Sequence, residues 1–222
     1  MVRRLTNRAD TWAFDRIQAQ GAWDLLQGRT MNPVHVAVVD SGFCHAQGTP
    51  NAPLHPDFQN LNGGATVSSF STNLPAGDPG APFHGTAVAG VIGANNDPTT
   101  ATGTGTAVGG SGDLNGILSG ANVPFDLRIH KVGLNATTGA ILNAFIVASN
   151  NGAKVVNFSM GAAFDPAVLP VARRLFAAIF DRFQNTLFVV AAGNDHEPAN
   201  TSIPAAVVGT IPFTDGTVVN VQ

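Results

Sequence analysis

Short, unbroken apolar runs, each closed by a polar or glycine-containing turn, are the clearest pattern along the chain. Val34-His35-Val36-Ala37-Val38-Val39 is rich in β-branched residues and stops at Asp40-Ser41-Gly42. Similar runs occupy residues 127–132, 153–158 and 186–192, the last stopped by Gly193-Asn194-Asp195. Runs of this length without polar alternation suit strands buried on both faces. Helical patterns lie between them, over residues 84–94, 139–150 and 166–184. In the last of these, Asp165 is the expected N-cap and Pro166 the first helical residue, where a missing N–H costs nothing. Strands alternating with helices imply right-handed βαβ units. The expected fold is therefore α/β: a doubly wound, mainly parallel sheet with helices on both faces. Ligands in such sheets gather at the carboxyl ends of the strands, where Asp40 and Asn194 stand.

No internal repeat and no linker divides the chain. Residues 1–11 are expected to be an N-terminal extension and residues 12–222 one partial domain. The extension carries the positive charge of a signal-peptide start, but no apolar segment follows it, so no export signal is expected within the chain. Residues 95–122 hold seven glycines among many Ser and Thr. They contain neither a G-x-G-x-x-G nor a G-K-[ST] pattern, and no strand feeds them, so a surface insertion is expected there rather than a phosphate-binding loop. Asp113-Leu114-Asn115-Gly116 is similar to part of a calcium loop but lacks the later glutamate ligand.

Composition narrows the classes. Of 222 residues, 44% are hydrophobic and only 11% charged, against roughly 25% charged in an average soluble domain. Disorder through low hydrophobicity and high charge is thereby excluded. The net charge of −3, with no basic block, argues against nucleic-acid partners. No apolar run approaches the roughly 18 residues of a membrane span, so no membrane partner is expected. The single cysteine, Cys44, excludes an internal disulfide framework and a Cys-rich zinc site. No adjacent Lys or Arg argues for a reactive thiolate, and a buried free thiol is expected.

Three segments place polar groups directly after an apolar strand or at the start of a helix, where a buried charge is costly unless paired. They are Val38-Val39-Asp40-Ser41-Gly42, His84-Gly85-Thr86-Ala87-Val88-Ala89-Gly90, and Ala191-Ala192-Gly193-Asn194. A strand-end Asp orients an imidazole, a His at a Gly-rich helix start serves as general base, and an Asn amide on a tight turn donates to an oxyanion. Each residue also has a structural reading. Asp40 caps a strand, His84 fills a core, and Asn194 accepts a left-handed turn after Gly193. His35, His45, His130 and His196 read as surface or structural, and His55 as part of a Pro56 turn.

Taken together, these segments resemble the subtilisin-like serine proteases, the subtilases. Asp40-Ser41-Gly42 is similar to that family's strand-terminal Asp-Ser-Gly, and His55-Pro56-Asp57-Phe58 to the segment that follows it. Residues 84–90 resemble its catalytic-histidine motif, 44 residues after Asp40. Val156-Asn157-Phe158-Ser159-Met160-Gly161 is similar to its substrate-binding strand, residues 191–194 to its oxyanion segment, and Ile203-Pro204-Ala205 to the stretch after that. The start of the domain, from Trp12 to Trp23, also looks like the opening of a mature subtilase.

The resemblance implies a serine endopeptidase acting on peptides or proteins. Asp40, His84 and Asn194 would be catalytic, and Gly139, Ser159, Met160, Gly161 and Gly193 would bind substrate. No cofactor would be needed for chemistry. Structural calcium, a propeptide outside this chain and an extracellular setting are further implications. The family's Gly-Thr-Ser nucleophile motif is absent from the 222 residues. The nucleophile is therefore expected beyond Gln222, in the last third of the domain, and these residues alone are expected to be inactive. Ser41 is expected to point away from Asp40, and Ser159 to lie on the substrate strand, so neither reads as a substitute. Two other classes remain open: a non-catalytic pseudoprotease that binds peptides, and, more remotely, a nucleotide-binding α/β domain using the Gly-rich stretch.

Overall fold

The computed structural model describes residues 12–43, 58, 65–71, 84–94, 116–121, 123–163, 165–194, 196, 198 and 201–221. They form an α/β fold around a five-stranded sheet of order β2-β3-β1-β4-β6. Its strands are β1 (Val34–Asp40), β2 (Thr66–Ser71), β3 (Phe125–Lys131), β4 (Val155–Phe158) and β6 (Leu187–Val190). The other two-residue or longer strands are β5 (Ala162–Ala163), β7 (Ser202–Ile203), β8 (Gly209–Pro212) and β9 (Val218–Val221). The helices are α1 (Trp12–Arg16), α2 (Ala19–Leu26), α3 (His84–Gly93), α4 (Ile117–Gly120), α5 (Thr138–Asn150) and α6 (Leu169–Arg182).

The described residues fall into two compact units. The first takes those up to Val34, residues 58 and 65–68, and those from Thr86 to Leu127; the second takes the rest. Trp23 anchors the first unit. It is buried with Ala19, Ala121 and Val123, and its indole N–H donates to the Ile117 carbonyl at 3.0 Å, which gives a large side chain both an apolar seat and a polar partner. Gly116 is obligatory where its N–H meets the Ala94 carbonyl, because a Cβ there would collide with the backbone of Gly93 and Ala94.

The second unit holds the main core. β1, β4 and β6 run parallel in strict register, with Val36, Val155 and Leu187 on one level and Val38, Asn157 and Val189 on the next. Because side chains alternate along a strand, Ala37, Val39, Val156, Phe158, Phe188 and Val190 share the face on which α5 and α6 contribute Phe145 and Phe176. Phe145 meets Phe158 edge-on at 5.4 Å and Phe176 at 5.9 Å, the T-shaped geometry that aromatic quadrupoles favour. The hairpin of β8 and β9 adds Ile211, Phe213, Val219 and Val221 to the same core.

The four expected strands correspond to β1, β3, β4 and β6, with ends shifted by one or two residues. One expectation needs correcting. The long helix starts at Leu169, with Val168 as its N-cap residue and Pro170 in its first turn, not at Pro166. Asp165 instead organises the preceding turn: its carboxylate accepts from Ala167 N–H at 2.8 Å, and its carbonyl from Val168 and Leu169. Cys44, His45, His55 and most of the Gly-rich stretch lie outside the described residues, and α4 falls within the stretch expected to be a surface insertion.

Candidate active site

Asp40 is the last residue of β1 and is fully buried. A carboxylate in that position is stable only if its oxygens are bonded, and they are. His84 Nδ1 donates to Oδ1 at 2.8 Å and lies 3.0 Å from Oδ2. Ser41 donates to Oδ1 twice, through its N–H at 2.7 Å and its hydroxyl at 3.2 Å. The sheet holds the main chain behind the carboxylate, with the Asp40 carbonyl accepting from Val132 N–H at 2.9 Å.

His84 reaches Asp40 because of the glycine that follows it. Gly85 N–H donates to the Gly42 carbonyl at 2.9 Å. A Cβ on Gly85 would lie 2.5 Å from that carbonyl oxygen, 2.9 Å from Asp40 Cβ and 2.9 Å from the Phe43 ring. Only a bare α-carbon lets the start of α3 press this closely on the turn after β1. The His84 side chain is 49% exposed, so a half-open imidazole rests its Nδ1 on a buried carboxylate and turns Nε2 to the other side of the ring. This arrangement fixes one tautomer and leaves the opposite nitrogen for proton transfer.

The register brings further candidates to the same sheet edge. Val39, Phe158 and Val190 are level, so the residues that follow them, Asp40, Ser159 and Ala191, emerge side by side. Ala191 N–H continues the ladder by donating to the Phe158 carbonyl at 3.1 Å. Gly193 then turns with φ +104° and open space around its α-carbon, a conformation that L side chains rarely adopt. Asn194 follows, exposed on the bend. Ser159 Oγ accepts from Asn157 Nδ2 at 2.9 Å. Met160 packs partly against the main core, and Gly161 is exposed ahead of β5.

Two sequence expectations change here. Gly139 lies in the first turn of α5, whose N-cap Thr137 accepts from Ala140 N–H at 3.2 Å. A helical backbone cannot pair with an extended peptide, so Gly139 does not offer that edge; the extended residue nearest to it is Thr137, at φ −73° and ψ 155°. Ser41 points toward the Asp40 carboxylate rather than away, because the chain bends at Ser41 and strand alternation ends there. The contact was legible only as an adjacency of Asp and Ser. Three other histidines are described. His35 is buried with Nδ1 3.0 Å from the Asn151 carbonyl, His130 is buried on β3, and His196 is exposed. Among the described residues, no three His, Cys, Asp or Glu side chains gather as metal ligands.

A parallel sheet thus presents, at the carboxyl ends of its strands, a buried carboxylate bonded to a half-open imidazole. The sequence model of the subtilase family matches residues 32–214, and the chain belongs to that family. Among solved structures, a mutant of the protease domain of PatA is 25% identical with a TM-score of 0.50, covering 82% of this chain and 57% of that one. MycP1 with its N-terminal propeptide removed is 24% identical with a TM-score of 0.49, covering 84% and 50%. The prenylagaramide maturation protease PagA is 24% identical with a TM-score of 0.48, covering 82% and 54%. The chain thus spans about half the length of these solved proteins. No curated protein matches it.

Proposed function

We propose that the chain supplies the Asp and His of a serine endopeptidase that hydrolyses peptide bonds through an Asp-His-Ser triad, the Ser coming from outside these 222 residues. The observation that carries this reading is the pair of contacts from His84 Nδ1 to the buried Asp40 carboxylate, at 2.8 and 3.0 Å. With Nδ1–H held by Asp40, His84 Nε2 takes the nucleophile's proton as Oγ attacks the scissile carbonyl, then returns it to the leaving amine. Asp40 stays ionised and stabilises the imidazolium that forms between the two steps. Asn194, on the turn made by Gly193, donates its amide to the tetrahedral oxyanion.

The peptide lies extended along Ser159, Met160 and Gly161, paired through backbone groups that are indifferent to side-chain identity. The extended residues just ahead of α5 supply the second edge, in place of Gly139. Met160 and the space over Gly193 favour a large apolar side chain before the cleaved bond. Calcium, an extracellular setting and a propeptide are carried over from the family on the same footing. Among the described residues no helix is long and apolar enough to cross a membrane.

The test is turnover of a fluorogenic peptide library by the intact protein. His84→Ala should lower kcat by about 10⁶ and Asp40→Asn by about 10⁴. Asn194→Ala should lower it by the order of 10²–10³ known for a lost oxyanion donor in a subtilisin. Absence of turnover and of labelling by a serine-directed phosphonate would overturn the reading, and a preference for Arg or Lys before the cleaved bond would overturn the apolar pocket. Residues 1–222 alone should show no turnover.

A further inference from the structure

The Asp40 carboxylate takes more donors than an imidazole partner accounts for. Oδ1 receives His84 Nδ1–H at 2.8 Å, Ser41 N–H at 2.7 Å and the Ser41 hydroxyl at 3.2 Å, whereas the contact described for Oδ2 is His84 Nδ1 at 3.0 Å. Ser41 is itself only 3% exposed, so its hydroxyl sits where bulk water does not compete for it. A backbone N–H is fixed by the main chain, but a hydroxyl rotates to suit its acceptor. The two donors also approach Oδ1 from different atoms of one residue. Together they pin that oxygen and so set the rotation of the carboxylate about its Cβ–Cγ bond.

That rotation decides whether both oxygens face the His84 ring. A carboxylate held by His84 and one backbone N–H alone retains a soft torsion, because its terminal sp³–sp² bond has only a broad preference. We infer that Ser41 is a positioning residue that acts through Asp40: its hydroxyl locks the carboxylate plane against His84 and thereby holds the imidazole in line for proton transfer. The inference rests on the reading of Asp40 and His84 as a catalytic pair. It adds a residue whose contribution reaches the substrate only through two others.

Ser41→Ala removes the hydroxyl and keeps the N–H donor. In the intact protein it should lower kcat about three- to tenfold, the factor carried by one ordinary hydrogen bond, with KM unchanged. The proton NMR resonance of His84 Nδ1–H should move and exchange faster with solvent. Ser41→Thr, which keeps a hydroxyl, should restore both readouts. An unmoved Nδ1–H resonance with unchanged kcat in folded Ser41→Ala would overturn the proposal, as would a Thr variant that behaves like Ala. If Ser41→Ala does not fold, Ser41→Gly takes its place with the same two outcomes, and failure of both to fold makes the hydroxyl structural and ends the proposal. The resonance is read without turnover. A protein that lacks peptidase activity but shows the Ser41-dependent shift would remove the proposed function while leaving the positioning role intact.

Discussion

Gly85 is the residue on which the geometry of the Asp40–His84 pair turns. The space denied to a Cβ there is bounded by the Gly42 carbonyl and Asp40 Cβ as well as by the Phe43 ring, and the first two cannot swing aside as a side-chain end can. Gly85→Ala should therefore push the start of α3 off the turn, costing about 1–3 kcal/mol as overpacking does. It should also lower kcat by about 10², the scale of a 1 Å misplacement of reacting groups. Gly90→Ala on the same helix, whose nearest atom would be the Ala94 methyl at 3.9 Å, should stabilise the protein by about 1 kcal/mol, as Gly-to-Ala in a helix does. Equal activity losses in the two variants would contradict this reading. His130 supplies a second effect at this scale. Burial first, then the neighbouring charges of His35 and Arg128, lowers it from 6.5 to about 4. The folded state thus keeps it neutral while the unfolded chain takes up a proton. Its contribution to stability is present in full above pH 6.5 and is lost as pH falls from there toward 4, in all by roughly 3 kcal/mol. Urea unfolding of the intact protein between pH 7.5 and 4.5 should show that slope, and His130→Gln should flatten it.

Among the elements, the β8–β9 hairpin offers the most local test. Asp215 accepts from both the hydroxyl and the N–H of Thr217, at 2.7 and 3.0 Å, bonds that hold its carboxyl below the usual range. Gly216 turns with φ +86° in open space. Gly216→Ala should therefore cost about 1 kcal/mol through backbone strain alone. Gly216→Asn should cost less, because Asn tolerates that region. Denaturant melts that rank Asn below Ala would refute this account. The hairpin carries a sequence signal of its own, an Asp-Gly pair between β-branched residues, but its four-residue strands are too short to stand out as apolar runs. β1 was legible, since a strand buried on both faces is apolar throughout. β2 was not: Thr66-Val67-Ser68-Ser69-Phe70-Ser71 has neither a run nor a clean apolar face. The start of α6 was misplaced because Asp165-Pro166 imitates a cap and first turn. Of the site, Asp40 and His84 could be read from their motifs, but the Ser41 contact depends on a bend that no periodicity describes.

Across the molecule, burial along the sheet is uneven, and the imbalance bears on how the chain behaves by itself. On the face opposite the Phe145 core, the level of Val36, Val155 and Leu187 runs from 6% exposed at Val36 to 62% at Leu187. The next level runs from 0% at Val38 to 45% at Val189. Among the described residues β6 is also the edge of the five-stranded sheet. An apolar face ending at an open strand edge combines the two features that template association between chains, exposed hydrophobic surface and unpaired backbone groups. Expressed by themselves, residues 1–222 should therefore associate with rising concentration in sedimentation velocity and bind anilinonaphthalene sulfonate. Val189→Lys, which places a charge on that edge, should weaken both effects. The phenylalanines of the main core lie on the other face of the strand, so the near-ultraviolet circular dichroism should be unaltered. A monodisperse, dye-free monomer would show that this face is closed in solution. Association that persists in Val189→Lys would locate the sticky surface elsewhere, with the exposed Val168, Val171 and Leu175 around the start of α6 as the next place to substitute.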